Sequence, residues 1–486
     1  MLLCTTAILA FLLAVANGLV GHQQHYFQQH QSAFESLSFW INKQRQYAQS
    51  RILANIAPFA DDPSAMAGAV CASPSRSHPD YYYAWTRDSA LVMGEILNWL
   101  EQESPGNSRQ LNIVLDNYVA FTRHIQAMDT RLGEAKFNMD GSPFTGSWCN
   151  AQTDGPAIRA LVLIRLTEHR AFNVGQLFGL IRVDLDYISR VWWQNSHCDI
   201  WEESRGLHFY TAMAQHRALR AGALLALRLG DIDASQKYSG VADEIETLLL
   251  PRFSTNGSHV LTTIEWSGGL STKTSNLDTQ VLLASLHYST EGMYSVGSSE
   301  MVSTVLAILR RFEHMYDINR VPYTDINGIS VPIGVAVGRY PEDVYNGVGT
   351  SLGNPWSLVT SALAEYHYRL ALAYADSGYF VVGPELVALL NWTAPYIRDS
   401  TEEIYSLQAK LVSKGDREFR GLLSYLLAAG DLYMARVARH TGRDHTMNEQ
   451  WNMYTGYGRG AIHLTWSYAA HTSAARARSK LVSIIY

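Results

Sequence analysis

A chain of 486 residues that is 47% hydrophobic and only 17% charged has a large core to bury, which excludes a disordered protein and leaves room for one large domain or two to three ordinary ones. Its net charge of −6 comes without an acidic or basic block, so the clustered basic footprint that nucleic acid requires is missing. The 12 Trp and 27 Tyr are many, and several stand beside Asp, Glu, Asn or Gly rather than inside helical runs, which suits a polar ligand with apolar faces such as a sugar ring.

The N-terminus to about Gly18 has the form of a targeting segment: Leu2–Val15 is apolar, short for a membrane span, and followed by small residues, with cleavage after Ala16 or Gly18. No later stretch is long and apolar enough to cross a bilayer, so a soluble mature protein is expected. Helical periodicity then dominates. Helices are predicted over about 38–55, 89–101, 110–128, 156–171, 209–229, 234–250, 277–288, 301–312, 357–376, 383–396, 402–412, 417–440 and 461–483. In the segment after Ser298-Ser299-Glu300, which supplies a cap and an early acid, Met301, Val302, Val305, Ile308, Leu309 and Phe312 mark one face. Ala221–Leu229 and Leu370–Tyr374 are apolar nearly all round, as for helices buried between neighbours, and Gly230 and Gly378 stand where C-terminal caps belong. Hardly any strand is expected; Val260–Ile264 is a candidate hairpin arm. The tail's Arg476, Arg478 and Lys480 are the polar face of the last helix.

The longer connections, 129–155, 192–208, 316–356 and 441–460, hold most of the unusual residues, and loops over a rigid scaffold are where function concentrates. No linker or composition shift divides the chain after residue 18, so a single domain is expected. Of the four cysteines, Cys4 leaves with the targeting segment. The remaining three allow one disulfide at most. Cys149 and Cys198 each flank an aromatic-acidic motif and are the pair to expect, with three buried thiols as the alternative. Asn256-Gly-Ser and Asn391-Trp-Thr are glycosylation sequons.

Metal and cofactor signatures are missing: there is no His-Glu-x-x-His, no Cys-x-x-Cys, no P-loop, no Gly-x-Ser-x-Gly, and Gly456-Tyr-Gly-Arg-Gly has the wrong spacing for a dinucleotide. Carboxylate chemistry remains. Glu202, in Cys198-Asp-Ile-Trp-Glu-Glu203, is flanked by isoleucine and indole, and an apolar wall disfavours the charged form; the alternative is a solvated loop edge. Other candidates are Asp88, Glu342, Asp343 and Glu449. Glycoside hydrolysis needs two such carboxyl groups, one protonated and one ionised, together with aromatic walls and polar holders for hydroxyls. Trp148, Trp201, Trp356 and Trp466 can form walls, and Arg87, Asp88 and Arg339 can hold hydroxyls. Asp88-Ser89 acting as a helix cap is the plainer alternative for that pair.

Several motifs resemble the fungal and yeast-type glucoamylases of glycoside hydrolase family 15. They are Tyr81-Tyr-Tyr-Ala-Trp-Thr-Arg-Asp-Ser89, Phe144-Thr-Gly-Ser-Trp148 with Asp154-Gly-Pro, and Asp199-Ile-Trp-Glu-Glu203. Val337-Gly-Arg-Tyr-Pro-Glu-Asp343, Asn354-Pro-Trp356, Asn448-Glu-Gln450 and Leu464-Thr-Trp-Ser-Tyr468 follow in the family's order. The resemblance runs from about residue 38 to the end, leaving 19–37 as an N-terminal extension and no room for a starch-binding domain. It implies an all-α (α/α)6 barrel, an inverting exo-hydrolase of α-1,4-glucans, no cofactor, and a monomer that is secreted or sent to a vacuole. Carried over by residue, Glu202 resembles the general acid and Glu449 the general base. Arg87, Asp88 and Arg339 resemble ligands of the terminal glucose, with Tyr81 and Trp466 around it. Trp148 resembles the tryptophan that orients the acid. Ile200, Trp201 and Glu203 would contact the next sugar, and Asp343, Tyr345 and Trp356 complete the pocket. Asp199 matches an aspartate whose charge would help keep Glu202 protonated. Departures are Trp451, where the family often has a smaller aromatic, and the cysteines 149 and 198. Relatives acting on α-1,6-glucans or trehalose, and an inactive glucan-binding protein on the same scaffold, are the competing readings.

Overall fold

The computed structural model describes residues 20–486 apart from 103–107, 129–131, 170–171, 255–257, 290–291, 293, 398–403 and 405, with side chains from residue 31 onward. Among the described residues the chain forms thirteen α-helices. They are α1 Val20–Ala54, α2 Thr86–Gln102, α3 Ser108–Gln126, α4 Asp154–Leu166, α5 Val174–Val191, α6 Phe209–Arg228 and α7 Ile232–Glu244. After these come α8 Gln280–Tyr288, α9 Ser299–Phe312, α10 Ser357–Ser377, α11 Pro384–Ile397, α12 Arg417–His440 and α13 Thr465–Ile485. The ends follow local chemistry. Ser298 accepts the N–H of Met301 at the start of α9, and Gly378 takes a left-handed φ of 78° to close α10.

Six helices pack side by side in a closed ring, in the order α2, α4, α6, α8, α10, α13 and back to α2. A second layer lies outside: α3 on α2, α5 on α4 and α6, α7 on α6, α9 on α8, α12 on α10, and α1 on α13. This is the expected (α/α)6 barrel. The inner position explains composition: α10 buries every residue from Ser357 to Tyr368 because neighbours surround it, whereas outer α9 buries only one stripe.

Among the described residues, strands are confined to five antiparallel pairs: β1 Ala84–Trp85 with β2 Lys136–Phe137, β3 Ser204–His208 with β4 Thr263–Gly269, β5 Tyr323–Ile326 with β6 Ile329–Pro332, β7 Tyr379–Val381 with β8 Leu411–Ser413, and β9 Gln450–Trp451 with β10 Gly458–Arg459. β1, β3 and β9 each sit next to a segment that carries a charged cavity residue, so the small sheets fasten functional loops to the barrel.

Four expectations change. Helix α5 fills a stretch left unassigned in the sequence, where Gly175 and Gly179 weaken the helical signal. Its Leu177, Ile181, Leu185 and Ile188 are buried, and Asp184 takes both arms of Arg159 on α4 at 2.8 and 2.6 Å. The helix expected at 402–412 is not formed at its described end: residues 406–409 turn, and Leu411–Ser413 pairs with β7 because strand partners claim its backbone. The hairpin arm sits a few residues later than expected, at Thr263–Gly269. In Ala221–Leu229, Leu224 and Leu227 are exposed, since they border a wide opening of about 800 Å³ at the end of the barrel lined also by Glu95, Glu365 and Arg476. Helix α1 begins at Val20 and so runs through most of the 19–37 extension, burying Ala33 and Leu37. The targeting segment 1–18 lies outside the described residues.

Candidate active site

The loop that carries Glu202 is a tight turn between the disulfide-bonded Cys198 and strand β3. Asp199 N–H donates to the Ser204 carbonyl at 2.9 Å, and the Asp199 carboxylate accepts the N–H groups of Glu203 and Ser204 at 2.8 and 3.0 Å. The turn places Glu202 at φ 68°, a left-handed conformation that costs a non-glycine residue about 1–3 kcal/mol. The conformation sends its carboxyl group toward the cavity, where Oε1 accepts the Trp85 indole N–H at 2.6 Å and the Gln152 amide at 2.8 Å. Arg87 Nη2 lies 3.9 Å from the same oxygen. The setting is therefore more polar than the Ile-Trp flank suggests.

Glu449 precedes β9 and is fully buried. Its Oε2 accepts the Tyr345 hydroxyl at 3.3 Å and the Ala461 N–H at 3.4 Å, and Oε1 has no partner. Burial pushes this carboxyl group up to about 7 against the opposing pull of the Tyr81 and Tyr345 hydroxyls, Arg339 and the Ala461 N–H. Gly460 allows this approach: it has φ 72°, and a Cβ there would stand 2.1 Å from Glu449 Oε2.

Two buried guanidinium groups line the same cavity as the glutamates. Arg87 Nη1 donates to Gln152 at 2.8 Å and to Asp154 at 3.2 Å, and its Nε is 3.2 Å from Asp88. Burial lifts Asp88 to about 6, with the Glu202 and Asp154 charges adding to it and Arg87 opposing. Arg339 binds both oxygens of Asp343 at 2.8 and 2.7 Å and Glu203 Oε1 at 2.7 Å, and the Tyr340 hydroxyl holds Glu203 Oε2 at 2.6 Å. Indoles make the walls: Trp201 stacks on Trp466 at 6.4 Å and tilts toward Trp356 at 5.6 Å.

One cavity of about 220 Å³ brings these together. Tyr81, Arg87, Asp88, Trp148, Ile200, Trp201, Glu202, Glu203, Arg339, Tyr345, Trp356, Glu449 and Trp466 all line it, so the sequence candidates converge almost completely. Two do not line it. Asp343 is spent on Arg339, which it orients. Asp199 is buried against Lys273 at 2.8 Å, which compensates its charge; it shapes the turn instead of presenting a charge to Glu202. No hydrogen bond joins Glu202 to Glu449 among the described residues.

Sequence reasoning missed Trp85, Gln152, Lys136 and Lys273. Trp85 lies within the Tyr81–Ser89 motif and Gln152 in the short stretch between Trp148 and Asp154, so their place beside those motifs was a usable signal. Lys136 sits 4.3, 4.5, 4.3 and 3.3 Å from the ring centres of Tyr83, Trp85, Phe144 and Trp148, and burial lowers it to about 8 against the pull of Glu202 and Asp80. Cys149 and Cys198 are bonded, which ties the Trp148 loop to the Glu202 loop, and Cys71 is a buried free thiol. Of the sequons, Asn256 lies outside the described residues, and Asn391 is half-buried inside α11.

The model of the glycosyl hydrolases family 15 matches residues 43–476. The chain belongs to glycosyl hydrolase family 15. It is a glycosidase. It is 33% identical over 455 residues to glucoamylase 1 of Rhizopus oryzae, covering 91% of this chain and 71% of that protein. It is 26% identical over 488 residues to a Saccharomyces cerevisiae protein named as an intracellular, sporulation-specific glucoamylase, covering 92% and 85%. Among solved structures, the glucoamylase of Saccharomycopsis fibuligera superimposes with a TM-score of 0.80 at 29% identity, over 92% of this chain and 96% of that one. The family 15 glucoamylase of Hypocrea jecorina follows with a TM-score of 0.79 at 30% identity, over 92% and 73%.

Proposed function

We propose that the protein removes terminal α-1,4-linked glucose, and more slowly α-1,6-linked glucose, from the non-reducing ends of starch, glycogen or dextrins, releasing β-D-glucose by inversion. The observation that carries this is the pair of glutamates in one indole-walled cavity, each with different hydrogen-bond partners. Glu202 acts as the acid: with Oε1 taken by Trp85 and Gln152, its proton sits on Oε2 and passes to the glycosidic oxygen as the C–O bond breaks. Glu449 acts as the base: its unpartnered Oε1 takes a proton from the water that attacks the anomeric carbon on the opposite face. The two carboxyl groups exchange protonation states in one turnover, and solvent restores them. A carboxyl group held up to about 7 is a stronger base than an ordinary one, and it must be ionised to work, so the free enzyme's activity rises with pH through that range.

Arg87, Asp88 and Arg339 hold the terminal sugar's hydroxyl groups while Tyr81 and Trp466 flank its ring. Trp148, at the exposed rim, positions the next sugar with Glu203, Ile200 and Trp201. The Cys149–Cys198 bond supports passage through an oxidising secretory route, to the medium or to a vacuole, and the working unit is a monomer. Incubation with maltose, isomaltose and trehalose, with the released anomer followed by NMR, tests the reading. β-Glucose from maltose is expected. α-Glucose as first product, activity on trehalose alone, or no glucose would each replace it with another reading.

A further inference from the structure

Lys273 lies between β4 and α8, outside every motif that carries the family likeness, and its ammonium group is almost wholly withdrawn from solvent. Burying an unpaired ammonium is costly, so its partners identify its task. Nζ stands 2.8 Å from Asp199 Oδ2, 3.4 Å from Asp278 Oδ2 and 3.7 Å from Glu203 Oε2, with the Tyr340 ring centre at 4.1 Å. Each of the three carboxylates holds a different part of the acid loop. Asp199 accepts the N–H groups of Glu203 and Ser204, and Asp278 accepts the Trp201 indole N–H at 2.8 Å. Glu203 accepts from Arg339 and Tyr340. Both neighbours of Glu202 are therefore fixed to anions that converge on one cation. The burial of Asp199 favours its neutral form, yet Lys273 at contact distance holds it ionised and so keeps it a strong acceptor for the turn.

We infer that Lys273 is a positioning residue for the proposed general acid: it gathers the carboxylates of Asp199, Asp278 and Glu203 and thereby holds Glu202 in its left-handed conformation with the carboxyl group aimed at the glycosidic oxygen. Glu202 would otherwise relax from φ 68° toward ordinary backbone, which swings the carboxyl group away. A displacement of about 1 Å costs a reaction on the order of 100-fold, and the loss appears in kcat because proton transfer is made only in the transition state.

The inference rests on the proposed role of Glu202, and the test separates the two. Lys273→Met, and Lys273→Met with Asp199→Asn so that no lone buried anion remains opposite the lost cation, are assayed on maltose and on α-glucosyl fluoride, whose fluoride departs without a proton from the enzyme. On maltose kcat is expected to fall roughly 100-fold, with KM changing less than about tenfold. On the fluoride both variants keep kcat within about fivefold of the parent. Equal losses on both substrates, an unchanged maltose rate, or failure of both variants to fold would overturn the inference. Glu202→Gln, run beside them, must itself lose maltose and keep the fluoride. If it keeps maltose, the acid assignment fails independently of Lys273.

Discussion

Replacing Glu449 by glutamine changes stability in a way that only its buried position explains. The carboxyl group moves from an ordinary 4.5 to about 7 on folding because it leaves water for a site with one unpartnered oxygen. A folded-state value above the unfolded one means that the native protein binds the proton more tightly. The associated stability is fully present below pH 4.5 and is lost as pH rises to about 7, after which the loss is constant. At about 1.4 kcal/mol per pH unit, the ionised carboxylate costs the native state roughly 3 kcal/mol at pH 8. Glutamine has nearly the same shape and does not titrate, so Glu449→Gln escapes that loss. Any misfit of its amide against the Ala461 N–H is the same at every pH and drops out of the trend. With an unfolding entropy of about 2 cal/mol/K per residue, a chain of this size shifts its Tm by on the order of 3 °C for 3 kcal/mol. Tm of both proteins measured from pH 4 to pH 8 is expected to show the variant gaining about 3 °C on the parent across that range. A difference that stays flat with pH would refute the buried-carboxylate account of the base.

Glu202→Gln and Glu449→Gln are each expected to lower kcat on maltose at least about 100-fold while near-ultraviolet circular dichroism stays unchanged; full activity in either overturns its assignment. Gly460→Ala forces a methyl group to 2.1 Å from Glu449 Oε2 at a left-handed φ, so activity should fall more than tenfold together with Tm, and parent-like kinetics would show that the Gly460 approach is not needed. Opening the Cys149–Cys198 bond by a double serine substitution releases a loop of 49 residues, for which about 4 kcal/mol of destabilisation is expected in urea, and an unchanged midpoint would contradict a structural role for the bond. A crystal structure should place the two glutamate carboxyl groups about 6.5–9.5 Å apart; about 5 Å would indicate retention of configuration.

The helices, the loops that matter and both glutamates were legible in the amino-acid sequence because their signals are local. Apolar spacing along α9 and the short motifs around Trp85, Glu202 and Glu449 each occupy a few consecutive residues. Where local signals conflicted, legibility failed: two glycines masked α5, and an apolar run at 402–412 read as a helix although β7 was waiting for its end as a strand partner. The partners of the site residues depended on tertiary structure alone. Trp85 and Glu202 are 117 positions apart, Lys273 and Asp199 74, and Arg339 and Glu203 136. No spacing rule links residues at such separations, because closure of the helix ring, not the chain between them, sets their distance. The division of labour has the same origin. Asp199 and Asp343 looked like cavity residues from their motifs but are consumed by Lys273 and Arg339, and Glu449 is lifted to about 7 because burial, a property of the whole fold, decides how much water a carboxylate keeps.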